Sequence, residues 1–118
     1  MIQIKRIYDP FNKADGLRVL VDRLWPRGIK KESAHVDLWT KDLAPSVPLR
    51  KWFNHEPEKF KIFKQNYLHE LGKSEAITPF LEEIESHHTV TLLYGAKDKI
   101  HNHAIVLRDF LSHLATNA

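Results

Sequence analysis

Two apolar segments limit the fold more than any other feature of this sequence. Residues 17–24 read Leu-Arg-Val-Leu-Val-Asp-Arg-Leu, and residues 89–94 read Thr-Val-Thr-Leu-Leu-Tyr. Both are rich in aliphatic or β-branched side chains and lack the strict alternation of a strand with one wet face. Each is therefore typical of a strand that is covered on both faces, and such strands occur in parallel sheets that helices flank.

The remaining segments supply further elements for a layered fold. Residues 2–8 alternate apolar and polar side chains, which predicts a half-buried strand. Helical spacing of apolar residues, with Ser46 as the first N-cap, predicts helices over residues 48–54, 58–71, 75–85 and 102–115, and a short helix or turn over residues 30–36. We predict a single α/β domain over residues 1–118, with three layers built on a small, mostly parallel sheet flanked by helices.

The composition excludes several classes of site. The 118 residues include no cysteine, which excludes disulfides, thiolate metal centres and thiol nucleophiles. The four glycines lie at least twelve positions apart, so the sequence has neither a dinucleotide-binding turn nor a phosphate loop. None of the eight histidines is paired at the four-residue spacing that places two imidazoles on one helix face. We predict no metal site, and no cofactor follows from the sequence.

The apolar segments are also short, which bears on location. None approaches the roughly 20 residues that span a bilayer. Residues 1–7 read Met-Ile-Gln-Ile-Lys-Arg-Ile, which is not the pattern of a signal peptide. We therefore expect a cytoplasmic protein without a membrane partner.

Positive charge is concentrated in the first half of the chain. The whole sequence carries +3, whereas residues 1–51 carry +5 and residues 52–118 carry −2. A basic half suits an anionic partner. It is also what results when the helices of the second half expose glutamates to water.

The first candidate site follows the predicted strand at residues 17–24. Four of the ten residues 22–31 are cationic, and a tryptophan lies among them. Arginine presents a planar fork that suits phosphate or carboxylate, and an aromatic ring offers a stacking face. The candidate ligand-binding residues are Arg23, Trp25, Arg27 and Lys30. The alternative is a surface loop whose tryptophan packs on the core while its cations stay solvated.

The second candidate site follows the predicted strand at residues 89–94. If the two apolar strands are parallel neighbours, their carboxyl ends open into one crevice, where ligands bind in open α/β sheets. Lys97 would then join Arg23 in neutralising an anion. Asp22 or Asp98 would act as general base and Tyr94 as proton donor. The alternative is that Asp98 caps a helix, Lys97 is solvated and Tyr94 belongs to the core.

Several motifs carry a family resemblance. They are D-R-L-W-P-R-G at residues 22–28, W-x-K-D-L-A-P-S at 39–46, R-x-W-F-x-H at 50–55 and L-L-Y-x-A-K-D at 92–98. With these motifs, the chain resembles the YeaO-like family of small bacterial proteins, a branch of a larger family defined by a domain of unknown function. The resemblance implies a compact α/β domain in the cytoplasm of a bacterium or archaeon, and it implies no particular reaction.

Three kinds of function fit these observations. The first is a small-molecule enzyme or ligand-binding domain that takes an anionic, phosphate-bearing or nucleotide-like compound in the crevice, with Lys41 and Arg50 as candidate extensions of its basic rim. The second is a nucleic-acid-binding or regulatory module that uses the basic half. The third is a protein–protein adaptor, which would expose Trp25, Trp39 and Trp52.

Overall fold

A computed structural model describes residues 1–116, so residues 117 and 118 of the predicted domain lie outside the described part. The strands are β1 (Ile2–Arg6), β2 (Leu17–Leu20), β3 (Leu38–Trp39) and β4 (Val90–Tyr94). The helices are α1 (Lys31–Ala34), α2 (Val47–Phe53), α3 (Phe60–Lys73), α4 (Ile77–Ile84) and α5 (His103–Thr116). Within residues 1–116, no helix has the length and apolar character needed to cross a membrane.

The two apolar segments become the central strands of one sheet. Its order is β1-β4-β2-β3, and every neighbouring pair is parallel. The register of the central pair runs from Leu17 opposite Val90 to Leu20 opposite Leu93. All five residues of β4 are buried, as expected of a strand covered on both faces. The predicted α/β fold with a parallel sheet is confirmed.

β2 ends four residues before the predicted boundary at Leu24. The Val21 N–H still donates to the Leu93 carbonyl at 3.0 Å. At Asp22, however, the backbone carbonyl accepts from Trp39 Nε1 at 2.7 Å, so a side chain replaces the neighbouring strand. Leu24 is exposed. The strand therefore stops where side chains take over its backbone hydrogen bonds, which the apolar pattern alone does not reveal.

The larger core lies between one face of the sheet and helices α2–α5. Val19 and Leu92 contribute from the central strands. In α3 the buried residues Phe63, Tyr67 and Leu71 recur every four positions, as predicted from their spacing. Ser46 also caps α2 as predicted, since its side chain accepts from the Leu49 N–H.

The second face of the sheet is covered differently. A smaller core joins Ile7, Leu20 and Leu93, and Trp25 and Ile29 pack against it. The loop after β2 therefore crosses over this face, because burying Trp25 and Ile29 there removes apolar surface from water. The short helix α1 follows the same loop.

A buried ion-pair cluster completes that second face. Arg18 is only 2% exposed, forms an ion pair with Asp15, and donates to the carbonyls of Ala34 and His35. Lys5 Nζ lies 3.1 Å from the same Asp15 carboxylate. Burial opposes ionisation of Asp15, but hydrogen bonds from Lys5 and Arg18, among others, outweigh it and lower the pKa of the carboxyl. The cluster thus anchors the loop between β1 and β2.

Replacing Asp15 by Asn should reduce the free energy of unfolding by about 3–5 kcal/mol, because Arg18 then stays buried without its counter-charge. The double variant Asp15→Asn/Arg18→Met should recover part of that loss, since it removes both charges. Urea denaturation measures both values. Glu82→Gln, on the exposed surface of α4, is the matched control and should change stability by less than about 0.5 kcal/mol.

The same measurement has a defined pH dependence. Because the folded pKa of Asp15 is lowered, its contribution is present at neutral pH and is lost as the pH falls below the unfolded value of about 3.9. The stability gap between wild type and Asp15→Asn should therefore narrow in acid. A gap that widens below pH 4 would contradict the assignment.

Candidate functional site

A cavity of about 590 Å³ opens at the carboxyl ends of β2 and β4. The loops after these two strands form one side, and α2, α3 and the start of α5 form the other. This is where ligands bind in parallel α/β sheets, and the volume is in the range of small-molecule sites. The cavity is lined by Asp22, Arg23, Leu24, Ala44, Pro45, Arg50, Phe53, His55, Phe63, Gly95, Ala96, Lys97, Asp98, His101, Asn102 and His103.

Asp22 ties the three elements around the cavity together. Its Oδ2 accepts from the Gly95 N–H at 2.9 Å, which joins the loop after β2 to the loop after β4. Its Oδ1 is buried and lies 3.1 Å from His103 Nε2, at the start of α5. Both carboxylate oxygens therefore lie against other residues of the chain, and Asp22 fixes the relative positions of the two loops and the start of α5.

His103 has a tautomer that its surroundings define. Its Nε2 lies 3.1 Å from the Val21 carbonyl as well as 3.1 Å from Asp22 Oδ1. Both neighbours are acceptors, so we assign the proton to Nε2. The Val21 carbonyl accepts this hydrogen bond, and Asp22 Oδ1 lies close to the same N–H without bonding to it.

Gly95 is required by the close approach of these loops. A Cβ atom at this position would lie 2.9 Å from Asp22 Oδ2, closer than a side-chain carbon tolerates. Residue 95 must therefore lack a side chain for its N–H to reach the carboxylate.

Asp98 organises the turn that leads into α5. Its Oδ1 accepts from the backbone N–H groups of Ile100 and His101, each at 2.9 Å, and its Oδ2 lies 2.9 Å from His101 Nδ1. The N–H bonds from His101 and Ile100, followed by the imidazole contact, lower the pKa of Asp98 to about 2. The carboxylate therefore remains ionised throughout the neutral range.

Asn102 is the N-cap of α5. Its Oδ1 accepts from the Ile105 N–H at 3.0 Å, and its Nδ2 donates to the Asp98 carbonyl at 2.9 Å. Asn102 is 2% exposed. The turn at Asp98 and the start of the helix are thus fixed to each other, which places His101 and His103 on the cavity wall.

Three cationic side chains reach the cavity from different elements. Arg23 donates to the Pro45 carbonyl at 3.2 and 3.3 Å, which positions its guanidinium beside the loop before α2. Arg50 projects from α2, and its Nε is buried without a hydrogen-bond partner in the described part of the chain. Lys97 is exposed at the mouth.

Aromatic side chains form the apolar wall. The rings of Phe53 and Phe63 stack with centroids 4.3 Å apart, and both line the cavity. The ring of Phe60 meets His101 edge-on at 5.3 Å. The cavity therefore offers a ligand both charged groups and an apolar surface.

The family follows from the sequence comparisons. Over residues 1–118 the chain matches a family model described as "Inactive DUF488-N3 subclade". The chain belongs to this family.

It is 48% identical over 113 residues to the Escherichia coli protein titled "Uncharacterized protein YeaO", covering 96% of this chain and 98% of that one. It is 39% identical over 111 residues to Mycobacterium tuberculosis "Uncharacterized protein Rv3073c", covering 94% of this chain and 93% of that one. No solved structure matches the chain. The YeaO-like resemblance is confirmed.

Four predicted site residues line the cavity of this family member, namely Asp22, Arg23, Lys97 and Asp98. Tyr94 does not. It is 2% exposed and belongs to the larger core, where burial raises the pKa of its phenol. A tyrosine in that position has no surface from which to donate a proton to a ligand.

The other predicted ligand-binding residues lie outside the cavity. Trp25 packs against Trp39 on the second face and donates from Nε1 to the Ile29 carbonyl at 2.7 Å. Arg27 is exposed, and Lys30 lines a separate cavity of about 280 Å³. The physical reason is the crossing of the loop after Leu24, because the apolar residues in that loop bury on the second face. The eight residues predicted to share a single crevice therefore do not line one cavity.

The three tryptophans differ from one another in exposure, and the two candidate rim residues differ in whether they line the cavity. Trp25 and Trp39 are half-buried, whereas Trp52 is 42% exposed. Lys41 lies over the Trp39 ring at 4.1 Å and is not a lining residue, while Arg50 is one.

Sequence reasoning missed the histidines of this cavity. His55, His101 and His103 line it, although they lack the spacing of metal ligands. Within residues 1–116, no group of three or more histidines or carboxylates is arranged to hold a metal ion. The usable signal was the sequence Asp-Lys-Ile-His after β4, since an aspartate three residues before a histidine can accept from it across a turn.

Replacing Gly95 by Ala should displace Asp22 and break its bond to the residue 95 N–H. We expect a loss of about 1–3 kcal/mol in the free energy of unfolding. The matched control is Gly72→Ala in α3, where a Cβ meets nothing within 4 Å. That variant should be more stable by about 0.5–1 kcal/mol, since Ala favours a helix over Gly. Equal stability changes in both variants would contradict the close approach at residue 95.

Proposed function

We propose that the cavity at the ends of β2 and β4 is a binding site for an anionic, phosphate-bearing small molecule. The observation that carries the proposal is Arg50, whose Nε is buried at the cavity without a partner among the described residues. The guanidinium carries a charge that no ion pair among the described residues neutralises, and a phosphate in the cavity would bind it with charge-assisted hydrogen bonds.

The charges around the cavity support an anion. Arg23, Arg50 and Lys97 are opposed by two carboxylates, Asp22 and Asp98. Both carboxylates already accept N–H donors of the protein, from Gly95 in one case and from a backbone turn in the other. Their negative charge is thus largely compensated locally, and the cationic groups dominate the field that a ligand meets.

Binding without turnover fits this arrangement best. Asp22 is engaged with Gly95 and His103, and Asp98 with its own turn, so neither is presented as the free base that catalysis needs. Tyr94 is buried and is not among the residues that line the cavity. The description of the family as inactive supports the same conclusion. We therefore propose a bacterial, cytoplasmic binding domain in which Asp22 and Asp98 position other groups.

Isothermal titration calorimetry with inorganic phosphate and AMP tests the proposal. Arg50→Gln should weaken binding by about 10- to 100-fold, because a hydrogen bond to a charged group contributes about 1.5–3 kcal/mol. Arg27→Gln is the matched control, since it removes an arginine from the same basic half but outside the cavity. It should bind as the wild type does.

Two outcomes would overturn the proposal. One is that neither phosphate nor AMP binds at low salt. The other is that Arg27→Gln and Arg50→Gln weaken binding equally. Equal weakening, together with a steep loss of affinity with salt for DNA or RNA, would instead favour the nucleic-acid-binding alternative.

A further inference from the structure

His101 presents a hydrogen-bond acceptor to the cavity. Its Nδ1 lies 2.9 Å from Asp98 Oδ2, and a carboxylate accepts only, so we assign the neutral ring's proton to Nδ1. The Nε2 lone pair is then free, and Nε2 has no partner within residues 1–116. The ring itself is held in place by the edge contact with Phe60.

Other polar groups at this end of the cavity are engaged or inaccessible. Asp22 Oδ2 accepts from Gly95, and His103 Nε2 donates to the Val21 carbonyl. Asn102 uses both of its side-chain polar atoms in capping the turn and α5, and Asp22 Oδ1 has no hydrogen bond but is buried where a ligand does not reach it. The cavity therefore combines a cationic donor, the Arg50 guanidinium, with an accessible acceptor, His101 Nε2, that no described residue occupies. A phosphate group that is fully ionised can satisfy the donor but has no proton to offer the acceptor.

We propose that His101, oriented by Asp98, accepts a hydrogen bond from a ligand hydroxyl, so that the cavity selects phosphate esters that carry a sugar hydroxyl over those that lack it. This inference rests on the proposed function of the cavity. Ribonucleotides and free sugar phosphates share this chemistry. The apolar wall formed by Phe53 and Phe63 adds a surface for a base, which is present only in the nucleotide.

Asp98 is a positioning residue in this account. It fixes the tautomer of His101 in the way that a second group orients a base or ligand imidazole. Its two backbone N–H bonds keep it charged: a pKa of about 2 means that the carboxylate does not take up a proton at any pH where binding is measured.

The test compares ligands that differ only in hydroxyl groups. AMP should bind the wild type about 3- to 10-fold more tightly than 2′,3′-dideoxy-AMP, because a neutral hydrogen bond contributes about 0.5–1.5 kcal/mol. In His101→Phe, which keeps a ring against Phe60, the ratio should fall to near 1 while the affinity for inorganic phosphate is retained. His69→Phe, on the exposed surface of α3, is the matched control and should keep the wild-type ratio.

The tautomer gives a second readout that requires no ligand. Nitrogen-15 NMR of the imidazole should show the proton of His101 on Nδ1 in the wild type. In Asp98→Asn the side-chain amide presents a donor to Nδ1, so the proton should move to Nε2. A wild-type ring protonated on Nε2 would overturn the assignment.

The outcomes separate this inference from the proposed function. If AMP and dideoxy-AMP bind equally while Arg50→Gln weakens both, the hydroxyl contact is refuted and the anion site stands. If neither inorganic phosphate nor any phosphate ester binds, both are refuted, and if inorganic phosphate binds but no ester does, only this inference is refuted. Ribose 5-phosphate distinguishes the two sources, since affinity equal to that of AMP indicates a sugar phosphate and weaker affinity indicates a nucleotide.

Discussion

The parallel pairing of β2 with β4 is the interaction on which the rest of the structure depends. Its register places Leu20 opposite Leu93, so the chain leaves both strands at the same edge of the sheet. Residues 22–24 and 95–98 then emerge side by side, although more than 70 positions separate them in the sequence. Any change that shifted this register would separate Asp22 from Gly95 and remove the cavity.

A cavity with two carboxylates can nevertheless favour an anion, because both carboxylates already accept hydrogen bonds from backbone N–H groups. Asp22 connects two loops and approaches His103, and Asp98 closes the turn before α5. Both accept hydrogen bonds from fixed N–H dipoles, which also offset their field toward the cavity. Arg50 has no such partner among the described residues, which leaves its charge for a ligand. The proposed function depends on which charges are already paired, and a count of charges does not show that.

The central strands and the general position of the cavity were predictable, because two-sided apolar strands indicate a parallel sheet and such sheets have their crevice at the carboxyl ends of the strands. The path of the loop after Leu24 was not. The sequence around Trp25 is compatible both with a tryptophan that stacks on a ligand and with one that packs on the core. In the structure, Trp25 and Ile29 pack together against the smaller core, which decides for the second arrangement. Whether Arg50 lines the cavity is not predictable from the sequence for a related reason, since it depends on how α2 packs on α3. The position of His101 on the cavity wall is equally hard to predict, because it depends on a turn in which the side chain of Asp98, three residues earlier, holds the imidazole.

The most direct measurement is a crystal structure of the protein with phosphate or tungstate bound, since the anion's position needs no variant to interpret. We predict an ordered anion within hydrogen-bonding distance of the Arg50 guanidinium, with Arg23 or Lys97 as a second contact. Anions that are ordered only beside the exposed Arg27 and Lys30, with the cavity filled by water alone, would contradict it.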